Sequence, residues 1–363
     1  MNTRSGVLGL LMLFCLIVLI YLRGRRIERP AIAWLSLLIL AGVIELIPML
    51  IGFAGAYNIW PGLTFLPTQV ALLTGPLLFL HARALIVGGK PGRWLWLLAP
   101  GAAYWLYQLW AFTMLGDYRA KWAFNDAVHV PYVVPAVFVG ILVLLLFGIV
   151  ATWRLYRRYR DWLDNNRADG IEFDAVWVRH LIILVAVAGL IWLGGELAYF
   201  FMEWGYERAF IVDMILLGLL GMVGLEALVR LQAPYPKMGG SQAMTTEDTS
   251  PARDWRQEGE RIREAVREGG WYLEPGLSLD DVTRRAASNS TYVSRSINEG
   301  LGVNFSELVN GLRVDHAKQQ MRTSGQTILE IALDSGFGSK ASFNRVFRDL
   351  TGQTPSQYRR SSD

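Results

Sequence analysis

The sequence predicts an all-α protein: an apolar region of seven membrane-spanning helices, followed by a polar region of two helix-turn-helix units. Three observations support this fold class. The chain is 53% hydrophobic and has a positive mean hydropathy of +0.29, although its last third is polar. The apolar excess lies in residues 1–231, in seven long runs. Residues 256–363 then repeat one pattern of core and turn residues at an interval of 50.

Each of the seven apolar runs has about 18 to 26 residues, enough to cross a hydrocarbon core of about 30 Å. No small-residue cleavage site follows the first run, so we interpret it as a retained anchor rather than a signal peptide. The predicted spans are residues 5–22, 31–52, 65–87, 94–115, 131–153, 177–201 and 209–231.

The distribution of Lys and Arg predicts how these spans are oriented. The connections after spans one, three and five, counted with the adjoining span ends, contain 13 basic residues, whereas the N-terminal segment and the other three connections contain four. Basic connections remain in the cytoplasm. We therefore expect the N-terminus outside and the C-terminus in the cytoplasm, in a multi-pass protein of the inner (cytoplasmic) membrane.

Two carboxylates lie near the middle of predicted spans and are the candidates for a signal-binding or switching site: Glu45 and Glu196. Charged groups at membrane depth are costly and often functional. The alternative is a buried structural hydrogen bond.

Small and aromatic residues of the membrane region predict packing. Gly218, Gly221 and Gly224 recur at steps of three, which predicts close contact with span six. Six aromatic residues near the outer interface predict an aromatic belt, with a ligand cage as the alternative. They are Tyr57, Trp60, Trp105, Trp110, Tyr118 and Trp122.

Residues 232–255 are predicted to be a flexible linker because Pro, Gly, Ser and Thr dominate and no apolar period appears. A helix is predicted to follow over about 256–268. The C-terminal region contains 16 basic and 15 acidic residues from 252 onward, so its net charge does not indicate nucleic-acid binding. Any indication of nucleic-acid binding must therefore come from where the basic residues lie.

The stretch from Ser335 to Arg360 predicts a turn, a helix, a second turn and a short helix. Gly336 and Gly338 allow the tight turn, and Ser339 can cap the helix that follows. One predicted buried stripe consists of Phe343, Val346, Phe347 and Leu350. The remaining faces carry Lys340, Ala341, Asn344, Arg345 and Arg348. A short helix of this kind, entered by a glycine turn, suits a DNA major groove.

The same pattern occurs 50 residues earlier, which predicts a duplicated unit. Six pairs match: Leu279 with Leu329, Val293 with Phe343, Arg295 with Arg345, Ile297 with Phe347, Gly302 with Gly352, and Ser306 with Ser356.

With these residues in place, Leu277 to Arg360 resembles the DNA-binding domain of AraC-type transcription regulators. The second unit resembles it through GFGSKASFNRVFRDLTGQTPSQYR, and the first through LSLDDVTRRAA and STYVSRSINEGLGVNFSELVNGLRVDHAKQQM. The first unit departs from the family at its turn, Ala286-Ala287-Ser288-Asn289, which is usually more apolar. The resemblance implies two homeodomain-like helix-turn-helix units joined by a long helix, predicted over 304–322.

By this resemblance, seven side chains would contact bases or phosphates: Thr291, Ser294 and Arg295 in the first unit, and Lys340, Ala341, Asn344 and Arg345 in the second. The alternative for Arg295 and Arg345 is pairing with surface carboxylates or phosphates alone. The implied partners are double-stranded promoter DNA and RNA polymerase, in a bacterial cell. Monomer and homodimer both remain open.

No pattern supports catalysis, a metal or a cofactor. The chain has one cysteine and four scattered histidines, and it lacks a glycine-rich phosphate loop and hydrolase motifs. We therefore predict a membrane-anchored regulator in which an unknown small-molecule or membrane signal changes helix packing near spans six and seven. The alternatives are a transporter with a regulatory domain and a pure membrane anchor.

Overall fold

In the computed structural model the chain is almost entirely helical, and the residues that it describes form no β-strand. These residues are 3–170, 172–173, 175–202, 206–231, 234–238 and 254–362. The predicted all-α class is confirmed. Most of the predicted linker 232–255 lies outside the described residues. The chain forms two compact units, one of residues 1–156 and 175–237, the other of residues 157–174 and 238–363.

Nine helices are numbered in the first part of the chain. They are α1 (Thr3–Gly24), α2 (Arg29–Glu45), α3 (Ile47–Phe53), α4 (Thr74–Ile86), α5 (Ala99–Met114), α6 (Tyr118–Phe124), α7 (Val134–Asn166), α8 (Val176–Met202) and α9 (Tyr206–Arg230). Short 3-10 turns precede α4 at Ala71–Leu73 and α5 at Gly92–Leu98, and a π-helical segment, Asn125–Val133, joins α6 to α7.

Within the described residues, five helical stretches are long and apolar enough to cross a membrane. They are Thr3–Gly24, Arg29–Phe53, Tyr118–Asn166, Val176–Leu197 and Phe210–Arg230. The other two predicted spans, 65–87 and 94–115, contain shorter helices. The first of these begins irregularly because Leu66 precedes Pro67 and is extended, with ψ of 134°.

The glycines of α9 pack against α1 and α2, so the predicted contact of this stripe with span six is wrong. A Cβ at Gly221 would lie 2.6 Å from Phe14, and one at Gly224 would lie 2.5 Å from Val18. Gly189 on α8 instead approaches Leu145 of α7. The small residues do permit close helix approach, but sequence spacing does not identify the partner helix.

The second compact unit contains the end of α7, and its described residues from 254 to 362 form seven α-helices. They are α10 (Trp255–Glu268), α11 (Leu279–Arg285), α12 (Ser290–Arg295), α13 (Phe305–Thr323), α14 (Ile328–Asp334), α15 (Lys340–Thr351) and α16 (Pro355–Ser362). A π-helical segment, Ser296–Leu301, extends α12.

Two hydrophobic cores lie along α13. Its first half contributes Phe305 and Leu312 to a core with α10, α11 and α12. Its second half contributes Val314 and Met321 to a core with α14 and α15. The long joining helix predicted over 304–322 therefore belongs to both helix-turn-helix units.

Candidate nucleic-acid interface

The turn of the second helix-turn-helix unit is tightly determined by its residues. Thr327 and Glu330 form a capping box at the start of α14. Gly336 follows α14 with φ of 84°, and a Cβ there would lie 2.7 Å from the carbonyl oxygens of Tyr272 and Leu273. Ser339 then accepts a hydrogen bond from the Ser342 amide at 3.2 Å and caps α15. The turn therefore fixes where α15 begins.

Helix α15 has one buried and one exposed face. Phe343, Val346 and Phe347 are buried, as predicted. Leu350 was predicted on the same stripe but is 51% exposed, because the core against α15 ends at Phe347, whose ring packs edge-on against Tyr358. The predicted contact residues are all exposed: Lys340, Ala341, Asn344 and Arg345.

The polar side chains of this exposed face are unengaged. Within the described part of the chain, no hydrogen bond or ion pair involves the side chains of Lys340, Asn344 or Arg345. A guanidinium and a carboxamide one residue apart, both free and on a capped helix, can each form two hydrogen bonds with a base edge.

The first helix-turn-helix unit has the same order of capped helices, with a different turn between them. Ser278 and Asp281 form a capping box at the start of α11, and Asn289 caps α12 by accepting from the Tyr292 amide at 2.7 Å. Between them, Ala287 adopts φ of 47°. Left-handed backbone is unfavourable for a residue with a Cβ, so this turn is strained where Gly336 is relaxed.

The reading face of the first unit is partly engaged. Thr291 is exposed, but Ser294 accepts a hydrogen bond from Asn298 at 3.2 Å. The Arg295 Nε donates to Glu299 Oε1 at 2.8 Å. Its guanidinium carbon also lies 4.4 Å from the ring centroid of Trp255 on α10. Hydrogen bonding to Arg295 holds the pKa of Glu299 below its usual value.

The caps show that the two units are related by two offsets. Ser278 and Thr327 cap the first helices at an offset of 49, and Asn289 and Ser339 cap the second helices at 50. The predicted pair Leu279 and Leu329 is therefore wrong: Leu279 is buried, whereas Leu329 is 46% exposed. The partly buried residue in the matching place is Ile328, and the turn of the second unit is one residue longer.

A segment distant in sequence also belongs to the compact unit that contains the two helix-turn-helix units. Residues 157–174, which comprise the end of α7 and the connection to α8, contact both helix-turn-helix halves. The Ala168 amide donates to the Leu277 carbonyl at 3.1 Å, and Asn310 on α13 donates to the Ala168 carbonyl at 3.1 Å. At the start of α15, Ser342 Oγ donates to Glu172 Oε1 at 2.8 Å.

Residues 157–174 contain an ion pair and two carboxylates that act on a buried arginine of α13. Arg167 forms two hydrogen bonds of 2.7 Å with Asp169, which raise the pKa of Arg167. Arg313 on α13 is 1% exposed and donates to the carbonyls of Tyr272 and Glu274 at 2.7 and 2.8 Å. Burial lowers the pKa of Arg313 to about 10, while the negative charges of Asp169 and Glu172 oppose that shift. The two carboxylates Asp169 and Glu172 thus lie where a buried cation favours them.

The two predicted carboxylates of the membrane region lie in different surroundings. Glu45 accepts a hydrogen bond from the Val70 amide, ahead of α4, and lines an apolar cavity of about 250 Å³. Glu196 on α8 is exposed and does not line that cavity. The structure therefore does not bring the two together, and the Glu45 contact has the form of a structural hydrogen bond.

Comparisons with known proteins agree with this geometry. Residues 282–361 match the model of a family described as a helix-turn-helix domain. An uncharacterized HTH-type transcriptional regulator of Staphylococcus aureus strain MSSA476 is 41% identical over 88 residues, which are 24% of this chain and 12% of the relative. The transposon Tn10 TetD protein of Escherichia coli is 37% identical over 89 residues, 24% of this chain and 64% of that protein.

A solved structure, the C-terminal domain of AraT, a response regulator from Geobacillus stearothermophilus, matches 29% of this chain and 84% of its own at 27% identity, with a TM-score of 0.27. The 88 residues aligned with the staphylococcal relatives span about an eighth of the length of those proteins. The C-terminal part of the chain is a helix-turn-helix domain of the AraC type.

Proposed function

We propose that the protein is a membrane-anchored transcription regulator that binds promoter DNA sequence-specifically through α12 and α15. The supporting observation is the exposed face of α15, where Lys340, Asn344 and Arg345 are free of partners within the described chain. Arg can form two hydrogen bonds with guanine, and Asn can do so with adenine. Ala341 offers a methyl group for contact with thymine.

Helix α13 belongs to both cores and so provides a rigid connection between the two reading helices. Such a connection would let α12 and α15 enter successive major-groove turns about 34 Å apart on one face of the duplex. One chain would then cover a site that simpler regulators cover as a dimer.

Membrane anchoring is supported by the five long apolar stretches and by the basic connections. The orientation does not depend on whether the two shorter helical segments, in 65–87 and 94–115, also cross. They are consecutive, so including or omitting both leaves the C-terminus on the same side. We infer that this side is the cytoplasm, where DNA is available.

Signal transfer would use residues 157–174. This segment contains the end of α7 and is joined by the peptide chain to α8, and it is also part of the DNA-binding unit. Its Glu172 is hydrogen-bonded to Ser342 in the first turn of α15. A change in the membrane helices that displaced the segment would remove a negative charge from the start of α15, where DNA phosphates would approach.

The test is selection of binding sites from random duplexes by the full-length protein in lipid nanodiscs, at two salt concentrations. We expect an enriched site, and Arg345→Ala should lose preference at one position by about 1–3 kcal/mol. Arg261→Ala, which removes an equal charge from the exposed surface of α10, is the matched control. Binding that is only salt-sensitive and sequence-blind would contradict the proposal.

A further inference from the structure

A second cavity, in the compact unit of residues 1–156 and 175–237, has a more polar lining than the apolar cavity beside Glu45. It has a volume of about 200 Å³ and lies among α5, α6, the π-helical segment after α6, and the irregular stretch around residues 64–69. Its lining combines aromatic rings with amide, hydroxyl and ammonium groups. A concave site with a few convergent polar groups is the usual form of a small-molecule site.

The amide groups on one side of this cavity are held in place by each other. The Gln69 amide donates to Gln108 Oε1 at 3.1 Å, and Gln108 Nε2 donates to the Gln69 carbonyl at 2.8 Å. The Tyr104 hydroxyl donates to Gln69 Oε1. These bonds leave the Gln69 Nε2 donors without a partner among the described residues and available to a ligand.

Flat rings form the other walls. The Tyr107 and His129 rings are nearly parallel, with an interplanar angle of 7°, and the Tyr107 hydroxyl lies 3.0 Å from His129 Nδ1. Phe65 and Trp122 meet edge to face at a centroid distance of 5.3 Å. Aromatic walls of this kind favour a planar ring over a flexible chain.

The charge of the cavity selects among planar molecules. Lys121 is the one permanently charged side chain of its described lining, which contains no carboxylate. Its Nζ donates to the Phe112 carbonyl at 2.6 Å, and two of the three ammonium donors remain. A cationic ligand would meet an uncompensated like charge, whereas a carboxylate would gain a charge-assisted hydrogen bond.

We propose that this cavity binds a small single-ring aromatic acid from outside the cytoplasm, and that this acid is the signal. The volume equals that of about seven water molecules, which suits one substituted ring. The location outside the cytoplasm follows from the orientation in the proposed function, on which this assignment rests. It refines the aromatic cage considered from the sequence, since Trp122 lines the site but Tyr57, Trp60, Trp105, Trp110 and Tyr118 do not.

An occupant would also reach the membrane helices. Gln69 is followed by Val70, whose amide donates to Glu45 at the end of α2. Glu45 in turn lines the apolar cavity between α2, α8 and α9. A ligand that engages Gln69 therefore acts on a backbone segment that is tied to α2.

The test is isothermal titration of the full-length protein in nanodiscs with benzoate, benzyl alcohol and benzylamine, which present one ring with an anionic, a neutral and a cationic substituent. We expect saturable binding of benzoate, at least about tenfold tighter than benzyl alcohol, and no binding of benzylamine. Lys121→Met should abolish the preference for the acid and Lys121→Arg should retain it. Lys90→Met, which removes an exposed lysine charge outside the cavity, should leave the preference unchanged.

Gln69→Glu provides a second variant should Lys121→Met fail to fold, because a carboxylate in the cavity should weaken benzoate and admit benzylamine. The proposal is overturned by no saturable benzoate binding up to about 10 mM, by equal binding of the three probes, or by an unchanged preference in both variants. Arg345→Ala should bind benzoate normally while losing DNA preference. Failure of the ligand site and failure of DNA recognition are therefore separate outcomes.

Discussion

The two helix-turn-helix units share one plan but present their reading helices differently. In the second unit, Asn344 and Arg345 are exposed and unpartnered within the described chain, on a helix entered through a relaxed glycine turn. In the first, Arg295 is held by Glu299 and Trp255, and the turn contains a strained Ala287. Two units with the same fold therefore differ in how many side chains of the reading helix are free to contact DNA. We infer that α15 provides most of the base discrimination and α12 mainly positions the domain.

The largest expected effect is disruption of the core of the second helix-turn-helix unit while the core of the first remains intact. Phe343→Ala should destabilise the second unit by about 3–5 kcal/mol, because a fully buried ring is replaced by a cavity. Hydrogen exchange should rise across α14 to α16 and change little across α11 and α12, whose core is separate. Equal deprotection of both halves would show that the two units unfold as one.

The next effect concerns the connecting segment at the start of α15. Glu172→Gln removes a carboxylate that is 2.8 Å from Ser342 Oγ, so phosphates would approach α15 without repulsion. We expect DNA affinity to rise several-fold, about 0.3–1 kcal/mol, and its response to signal to fall. Asp161→Asn, on an exposed part of the same segment, is the control. Unchanged affinity in Glu172→Gln would remove the segment from the mechanism.

A smaller effect should follow from releasing Arg295. Glu299→Gln breaks the ion pair on α12, and we expect a slight gain in DNA affinity with a somewhat steeper salt dependence. Acid should act in the same direction. The depressed pKa of Glu299 means that the pair is complete at neutral pH and is lost as the pH falls through that pKa. Weaker binding by Glu299→Gln would mean that the pair orients Arg295 for DNA rather than withholding it.

The smallest effects should be those of the two turns, and they should have opposite signs. Ala287→Gly relieves a left-handed alanine and should stabilise the first unit by less than about 1 kcal/mol. Gly336→Ala creates such a residue and places a Cβ 2.7 Å from two carbonyl oxygens, so it should destabilise the second unit by more than about 1 kcal/mol. Thermal unfolding of matched variants measures both, and stabilisation by Gly336→Ala would contradict the account.

The exposed face of α15 was predictable from sequence because local rules determine it. Ser339 caps the helix, and Phe343, Val346 and Phe347 recur at helical spacing on its buried side. Asn344 and Arg345 lie between them in sequence and must then face elsewhere. The pairing of Leu279 with Leu329 failed for an equally local reason. The turn of the second helix-turn-helix unit has one additional residue, so the offset between the units is 49 before that turn and 50 after it.

What the sequence did not reveal depends on contacts between distant segments. The hydrogen bond from Ser342 to Glu172 joins residues 170 apart, and no periodicity in either segment encodes it. The glycines of α9 show that a close partner exists but not that it is α1 and α2. The outer cavity likewise requires Gln69, Gln108 and Lys121 to converge from three elements.

The most direct test of the unequal reading helices is a parallel selection of DNA sites by Arg345→Ala and Arg295→Ala in the full-length protein. We expect one site with two major-groove halves about 34 Å apart. Arg345→Ala should erase a base preference in one half, and Arg295→Ala should weaken binding without changing the selected sequence. Equal loss of one base preference in each variant would contradict the inequality, and recovery of the wild-type site by Arg345→Ala would contradict base reading by α15.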